Sequence, residues 1–378
     1  MAGEAWIGLI GSDPRPWLLA SGEPAARWIA LTELLDRPPA DADVRAARAA
    51  VLADPGTAEL IGRLPAWEAD RHLSGHDSPG FAPNLLGLLA DMGVRGGEDP
   101  RIERLLDAML DHQGDESRFQ SYGSSRVSRE PAWGALLCDT HAITGVLVRY
   151  GRAEDPRTRR ALDRMAADLA TTRQGPAWPC VPWHGFRGPG RKDEACLQVT
   201  LEALRTFAHL PDEDRPPALL DAARTALRAW RVRGEERPYM FGHGLAFKTV
   251  KWPPFWYGIL AMLEALGRFP ALWREPGVRP EDRAALAELV ACLVAYNVDP
   301  DGTVTPRSCY RGFEAFSFGQ KKRPSPFATA RLLALLRRFD DLADTARGID
   351  VLALPSAKGG TGRPMPPKAR PRPSATAR

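Results

Sequence analysis

The sequence predicts an all-α protein, and three observations carry that prediction. Apolar residues recur at i, i+3, i+4 and i+7 through most of the chain from residue 24 to residue 345, which is the spacing of an amphipathic helix. No comparable series of alternating strands occurs. Proline and glycine mark nearly every boundary, and several runs open with a proline in the first helical turn, where its missing N–H costs nothing.

Four runs show the helical spacing most clearly, at residues 24–35, 83–89, 102–110 and 259–263. The chain has 378 residues, which exceeds the roughly 250 to 300 residues at which one spherical core stops growing. Either two domains or a closed ring of helices would accommodate a chain of this length.

A repeated unit indicates helical hairpins. Asp99-Pro100-Arg101 and Asp155-Pro156-Arg157 each open a helical run, and Glu281-Asp282-Arg283 opens a weaker third copy. A turn that contains glycine follows each run, at residues 113–119, 174–178 and 299–306. Helical hairpins of this kind must stack on their neighbours to bury their apolar faces.

The net charge of +4 comes from the end of the chain. Residues 351–378 hold six Lys or Arg, six prolines and no acid, and the rest of the chain has 45 basic and 47 acidic residues. We therefore predict one domain over residues 1–350 and a disordered, basic, proline-rich tail over residues 351–378. A body near neutrality is not typical of a nucleic-acid-binding protein, so no nucleic-acid partner is expected.

A cytoplasmic location is expected, because the sequence has neither a signal-peptide pattern nor a run of about 18 uncharged apolar residues. The five cysteines are an odd number in a long chain, which favours reduced thiols over a disulfide framework. Oligomeric state is not indicated by the sequence.

Three segments, at residues 184–196, 237–252 and 316–326, combine basic side chains with glycine and aromatic residues before a helical run. Helix N-termini favour anions, and glycine lets the backbone approach a ligand. If the segments face a common centre, they form a positively charged pocket for an anionic small molecule; the alternative is salt bridges between adjacent helices. The predicted substrate contacts are Arg187, Arg191, Lys192, Lys248, Lys251, Lys321, Lys322, Tyr239, Trp252 and Trp256.

The Gln113-Gly114 and Gln174-Gly175 turns, each followed by an aromatic residue, resemble degenerate copies of the aromatic repeat of squalene–hopene and oxidosqualene cyclases. The resemblance covers roughly residues 20 to 345. It implies a single α/α toroid of about ten to twelve helices, shared with protein prenyltransferase β subunits, in which inner helix starts surround one deep cavity. It also suggests a bacterial branch with one toroid.

The acid motif of the cyclases is absent. Their Asp-x-Asp-Asp protonates an alkene, and the nearest counterpart here is Asp139 in Leu137-Cys138-Asp139-Thr140-His141. The resemblance makes Asp139 the candidate acid or polar anchor. His141 and His243 are further candidates for acid–base work, with hydrogen bonds to the backbone as the alternative for a loop histidine such as His243.

The prenyltransferase comparison implies a metal site. Zinc in those subunits is bound through an Asp-x-Cys pair at an inner helix start, which resembles Glu194-x-Cys196 here, and Cys138 or His141 could approach the same rim. The third ligand of the family, a histidine, has no counterpart on the following helix. The cofactor predicted on this ground is Zn or Mg, or none. Lanthionine-forming cyclases are also zinc toroids, but their Cys-His pair is not matched at Trp183-His184.

Together these patterns predict a cyclase- or transferase-like enzyme that binds an anionic, partly apolar small molecule, such as an isoprenoid diphosphate. The alternative is a non-catalytic binding or scaffold toroid that has lost the acid motif. The residues next to His76 and His209 do not form a basic, glycine-rich segment of the kind around His243, so both histidines are expected at the surface.

Overall fold

The computed structural model describes residues 4–70, 72–73, 75–124, 130–180 and 193–358. The predicted contacts Arg187, Arg191 and Lys192, and the tail from residue 359 onward, lie outside the described residues.

The described residues form sixteen α-helices, and a π-helical turn at Ala30–Leu34 extends the third. Single 3-10 turns lie at Asp212–Asp214, Pro270–Leu272, Ser317–Gly319 and Asp340–Leu342. The helices are α1 (Ala5–Ile10), α2 (Arg15–Leu19), α3 (Pro24–Ile29), α4 (Ala42–Ala53), α5 (Pro55–Gly62), α6 (Ala82–Met92), α7 (Pro100–Asp111), α8 (Leu137–Arg149), α9 (Pro156–Ala167), α10 (Leu197–Phe207), α11 (Leu219–Arg231), α12 (Leu245–Lys248), α13 (Ile259–Leu266), α14 (Pro280–Asn297), α15 (Pro326–Arg338) and α16 (Ala343–Arg347).

The strands are short and pair only in twos. Two antiparallel hairpins join β1 (Ser121–Gly123) to β2 (Ala132–Gly134) and β3 (Ala170–Thr172) to β4 (Gly175–Ala177). A parallel pair joins β5 (Lys251–Trp252) to β6 (Ser308–Cys309). These pieces connect helices, so the predicted all-α class is confirmed.

Six of the described helices form a closed inner ring. Helix α3 packs on α6, α6 on α8, α8 on α10, α10 on α13, α13 on α15, and α15 returns to α3. Helices α9, α11 and α14 pack outside this ring, on α8, α10 and α13 respectively, and α14 also packs on α11. These helix–helix contacts confirm the predicted α/α toroid, since alternating inner and outer helices surround a common axis.

The C-terminal halves of the inner helices converge at one end of the ring. Asp91 at the end of α6 contacts Arg149 at the end of α8, at 2.6 Å, and Arg338 at the end of α15 contacts Glu33 beyond α3, at 3.3 Å. The starts of the inner helices, including that of α8 with Asp139, therefore lie at the opposite end.

The predicted repeats hold outer helices in place. Asp99 and Asp155 cap α7 and α9 by accepting hydrogen bonds from the backbone N–H groups of Arg101 and Arg157. Gln113, in the predicted glycine turn, donates to the carbonyl of Arg157 at 2.7 Å and so ties the end of α7 to the start of α9. Gly175 in the second turn has φ +130°, and a Cβ there would lie 2.5 Å from Oγ1 of Thr225, so the turn needs glycine.

The segment at residues 351–358 contacts the domain. Val351 and Leu354 pack against the core, and the backbone N–H of Lys358 donates to the carbonyl of Arg233 at 2.7 Å. Among the described residues, no helix combines the length and apolar character that a membrane crossing needs.

Candidate functional site

A cavity of about 370 Å³ lies inside the ring and is lined by all six inner helices. That volume lies within the range of small-molecule pockets, roughly 300 to 1,000 Å³. Part of its wall is apolar, and Gly145 of α8 allows a close approach to α10, since a Cβ there would lie 2.9 Å from Oγ1 of Thr206. The apolar lining residues include Trp28, Leu88, Ala142, Val146, Phe255 and Leu335.

A network of ion pairs crosses the C-terminal end of the cavity. Asp91 accepts from Arg149 at 2.6 Å and contacts Arg331 at 2.5 Å. Arg331 also binds Glu264, and Glu264 lies 3.6 Å from Arg205. Burial by itself would raise the pKa of Asp91, but the charges of Arg331 and Arg149 outweigh it and lower the pKa to about 2.

Positive charge exceeds negative charge in the cavity wall, with six arginines against four carboxylates. Among the described residues, the side chain of Arg268 makes no hydrogen bond and no ion pair; it is exposed, and partial desolvation together with the charge of Arg338 lowers its pKa to about 10. His209 is also exposed, as the sequence predicted, and partial desolvation together with the charges of Arg149, Arg268 and Arg205 lowers its pKa to about 3. The C-terminal carbonyls of the inner helices offset part of this positive charge.

Asp139 lies at the other end of the ring, in the first turn of α8, and is fully buried. Its Oδ2 accepts from the hydroxyl of Ser121 at 2.7 Å, and its Oδ1 lies 3.2 Å from both the backbone nitrogen and the ring Nδ1 of His76. Burial lowers the pKa of His76, but the hydrogen bond and charge of Asp139 outweigh it and the pKa is raised. The two side chains therefore form a hydrogen-bonded pair in which Asp139 stabilises the charged form of the His76 imidazole.

This pair borders the cavity. Asn84, which lines the cavity, donates to the carbonyl of His76 at 2.9 Å, and Ala142, one turn after Asp139, also lines it. The ring of Trp256 lies 5.1 Å from the ring of His76, between centroids. Since α8 rises about 1.5 Å per residue, the Asp139 and Arg149 ends of the cavity are roughly 15 Å apart along the helix.

The donor set for a metal differs in part from the predicted one. Among the described residues, His76, Cys138 and Asp139 have ligand atoms within 4.8 Å of one another; Glu194 and Cys196 do not belong to this group. Glu194 instead binds Arg173 and accepts from the backbone N–H of Tyr239 at 3.0 Å. The three residues fit zinc better than magnesium, because a thiol and an imidazole are poor ligands for Mg²⁺.

Thiols surround the start of α8 and α10. Burial and the charge of Asp139 raise the pKa of the Cys138 thiol well above its ordinary value, and burial raises that of Cys196 to about 12. The Tyr239 hydroxyl donates to Sγ of Cys180 at 3.7 Å, while burial raises the pKa of this thiol. All three thiols are therefore protonated near neutral pH.

The lysines of the predicted basic segments lie apart from the cavity. Lys248 is 5.2 Å from the ring centre of Tyr296 on α14, and Lys251 is 3.6 Å from that of Tyr310. Lys321 and Lys322 are exposed in the loop before α15. The part of the chain that the structure describes thus places these four lysines in aromatic contacts or in solvent, and none lines the cavity.

The other predicted residues are mostly buried near the site. The Nδ1 atom of His141 lies 3.2 Å from the carbonyl of Val199, and burial lowers the pKa of this histidine to about 4. Nε2 of His243 lies 2.7 Å from the Tyr257 hydroxyl, and burial together with the charge of Arg233 lowers its pKa to about 3. Both histidines are neutral near pH 7. Trp252 is buried in β5.

The sequence interpretation missed His76 and the ion-pair network of the cavity. His76, expected at the surface, has a side chain only 25% exposed because it packs against Asp139 and Trp256. The charged residues on otherwise apolar inner helices, such as Asp91 after Leu88-Leu89-Ala90, were the available signal for the ion-pair network. A charge on an apolar helix face requires a buried partner or a cavity.

No protein-family model matches the sequence, and no curated protein is similar to it. Among solved structures, the type II terpene cyclase MstE from Scytonema is similar with a TM-score of 0.39 and 15% identity, covering 89% of this chain and 96% of that chain. A variant of it in complex with geranylgeranyl dihydroxybenzoate gives the same values. A protein from Actinoplanes is similar with a TM-score of 0.36 and 17% identity, over 83% of this chain and 89% of that chain. The closed ring of contacts, not these likenesses, establishes the toroid.

Proposed function

We propose that this protein is a toroid enzyme that binds an anionic, partly apolar small molecule, such as an isoprenoid diphosphate, in its central cavity. The observation that carries the proposal is the cavity inside the ring, whose wall holds six arginines and four carboxylates and, at Asn84 and Ala142, adjoins the buried His76–Asp139 pair. An excess of positive charge in a partly apolar pocket orients a ligand that has an anionic and an apolar part.

The apolar wall supports the apolar part of the ligand. Leu88, Val146 and Leu335 face the cavity, and the Phe255 and Trp28 rings add aromatic surface that would favour a developing cation. The six lining arginines support the anionic part, because they leave an excess of two positive charges over the carboxylates.

Asp139 is the residue assigned to the chemistry. Its buried carboxyl accepts from Ser121 and pairs with His76, so the pair would transfer a proton to or from a ligand atom that reaches past Asn84 and Ala142 of the cavity wall. This arrangement serves protonation in a cyclisation or removal of a proton in a prenyl transfer.

Incubation with geranyl, farnesyl and geranylgeranyl diphosphate, followed by mass spectrometry, tests the proposal. We expect a product from the wild type and a loss of about a hundredfold or more in the Asp139→Asn variant, which keeps the acceptor for Ser121 but removes the acid. Asp163→Asn is the matched control, since Asp163 is exposed on α9.

Three results would contradict the proposal. Equal turnover in Asp139→Asn and Asp163→Asn would remove Asp139 from the chemistry. Binding without turnover, measured by calorimetry on the wild type, would favour the alternative of a non-catalytic binding toroid, and the absence of binding for all three diphosphates would reject the ligand class.

A further inference from the structure

We propose that His76, Cys138 and Asp139 form a zinc site with an open coordination position, next to the cavity wall at Asn84 and Ala142. The inference rests on the proposed function for the ligand and the cavity. It replaces the proton transfer proposed for the His76–Asp139 pair with metal binding, and turnover by metal-free protein distinguishes the two roles.

The three side chains supply the ligand types that zinc uses. An imidazole nitrogen, a thiolate and a carboxylate oxygen bind zinc at about 2.0 to 2.3 Å, so tetrahedral ligand atoms lie about 3.5 Å apart. The corresponding atoms here lie within 4.8 Å of one another. Zinc binding would bring the most distant of these atoms closer by about 1.3 Å.

The surroundings already hold the ligands in place. Ser121 donates to Oδ2 of Asp139 at 2.7 Å, which leaves Oδ1 directed toward His76. The His76 ring lies against Trp256, and Asn84 holds the His76 carbonyl at 2.9 Å. Hydrogen bonds and packing behind the ligands are what fix ligand orientation in zinc sites.

Three protein ligands indicate a catalytic type of site. Structural zinc is bound by four protein ligands, whereas catalytic zinc has three and leaves one position for substrate or water. On binding, Zn²⁺ displaces the thiol proton of Cys138 to solvent and a sulfur–zinc bond forms, with no change in oxidation state. Bound zinc would act as a Lewis acid or would hold a thiolate or oxygen nucleophile of the substrate.

Titration of the purified full-length protein with Co²⁺, which reports tetrahedral thiolate coordination by its absorption bands, tests the site. We expect one equivalent to bind with a sulfur-to-cobalt charge-transfer band that Zn²⁺ abolishes by displacement. Cys138→Ser should lose the band, and His76→Gln should weaken binding at least tenfold. Cys309→Ser is the matched control, because this thiol lies in β6, away from the start of α8.

Several outcomes would overturn the inference: no Co²⁺ binding by wild type with native circular dichroism, an unchanged band in Cys138→Ser, or loss of the band in Cys196→Ser alone. Full turnover of a prenyl diphosphate by chelator-treated, metal-free protein would also reject the zinc site while leaving the proposed function intact. Stoichiometric Co²⁺ binding without any prenyl diphosphate turnover would support the site and count against the proposed function.

Discussion

Asp139 shows how a residue identified from sequence acquires its chemistry from a distant partner. The sequence placed it at an inner helix start, where the structure finds it. Its partner His76 comes from a loop 63 residues earlier, and Ser121 comes from β1. No local pattern around His76 indicates this contact, because it exists only after α6 and α8 pack together.

Arg268 is the residue that tests the charge of the cavity. Arg268 is exposed, and partial desolvation and repulsion by Arg338 lower its pKa to about 10, so Arg268→Gln should leave the free energy of unfolding unchanged or raise it. The same change should weaken binding of inorganic pyrophosphate, measured by calorimetry, because it removes a cation without an acidic partner. Arg45→Gln is the control, because it removes the same positive charge from the exposed face of α4.

A large loss of stability in Arg268→Gln would instead assign this arginine to the ion-pair network. Loss of pyrophosphate binding in Arg191→Ala/Lys192→Ala, with Arg268→Gln unaffected, would place the anion at the predicted basic segment. The two sets of variants therefore distinguish anion binding at the predicted basic segment from anion binding in the cavity at Arg268.

At the scale of elements, the ion pairs around Asp91 join inner helices that are far apart in sequence. Asp91 of α6 contacts Arg149 of α8 and Arg331 of α15. Arg331 also forms an ion pair with Glu264 of α13. One carboxylate thus connects three helices of the ring, and its loss leaves Arg149 without its acidic partner and Arg331 with Glu264 alone.

We expect Asp91→Ala to lower the free energy of unfolding by about 3 kcal/mol, since it removes one partner of a partly buried network. Asp155→Ala, which removes only the N-cap of α9, should cost about 1 kcal/mol. Chemical denaturation of both variants measures the difference. Equal losses would mean that the network adds no more stability than a single cap.

The helices themselves follow from the sequence. All four predicted helical runs lie in or extend observed helices, because apolar spacing and proline positions act within a single segment. The Asp-Pro-Arg units were also found, since a cap and its N–H lie two residues apart. The assignment of basic loops to one pocket required distances between segments, and Lys248 and Lys251 instead lie against Tyr296 and Tyr310.

At the scale of the whole molecule, the closed ring buries two histidines in neutral form. His141 and His243 have pKa values lowered to about 4 and about 3, chiefly by burial. The unfolded chain protonates both near pH 6.5, so it binds more protons than the folded chain as the pH falls. Stability is therefore lost between pH 6.5 and about 3.

His243 alone should contribute on the order of 4 kcal/mol to this loss, at about 1.36 kcal/mol per pH unit. The His243→Asn variant, which retains a hydrogen-bonding group for Tyr257, should show a shallower fall in the free energy of unfolding over the same range. Urea denaturation at several pH values measures both curves. Parallel curves for wild type and variant would show that His243 titrates as it does in the unfolded chain.

The sequence by itself determined the helices, their caps and the repeating hairpin, because these depend on periodicity and on contacts between near neighbours, while the toroid was predicted from the resemblance of the glycine turns to those of the cyclases. It also singled out Asp139 and Cys138. Only the tertiary structure decided which side chains share a cavity, since ring closure brings Asp91, Arg331 and Glu264 together from three helices and sets His76 against Asp139. Burial in that closed ring, absent from any single segment, is what fixes the charges of these groups.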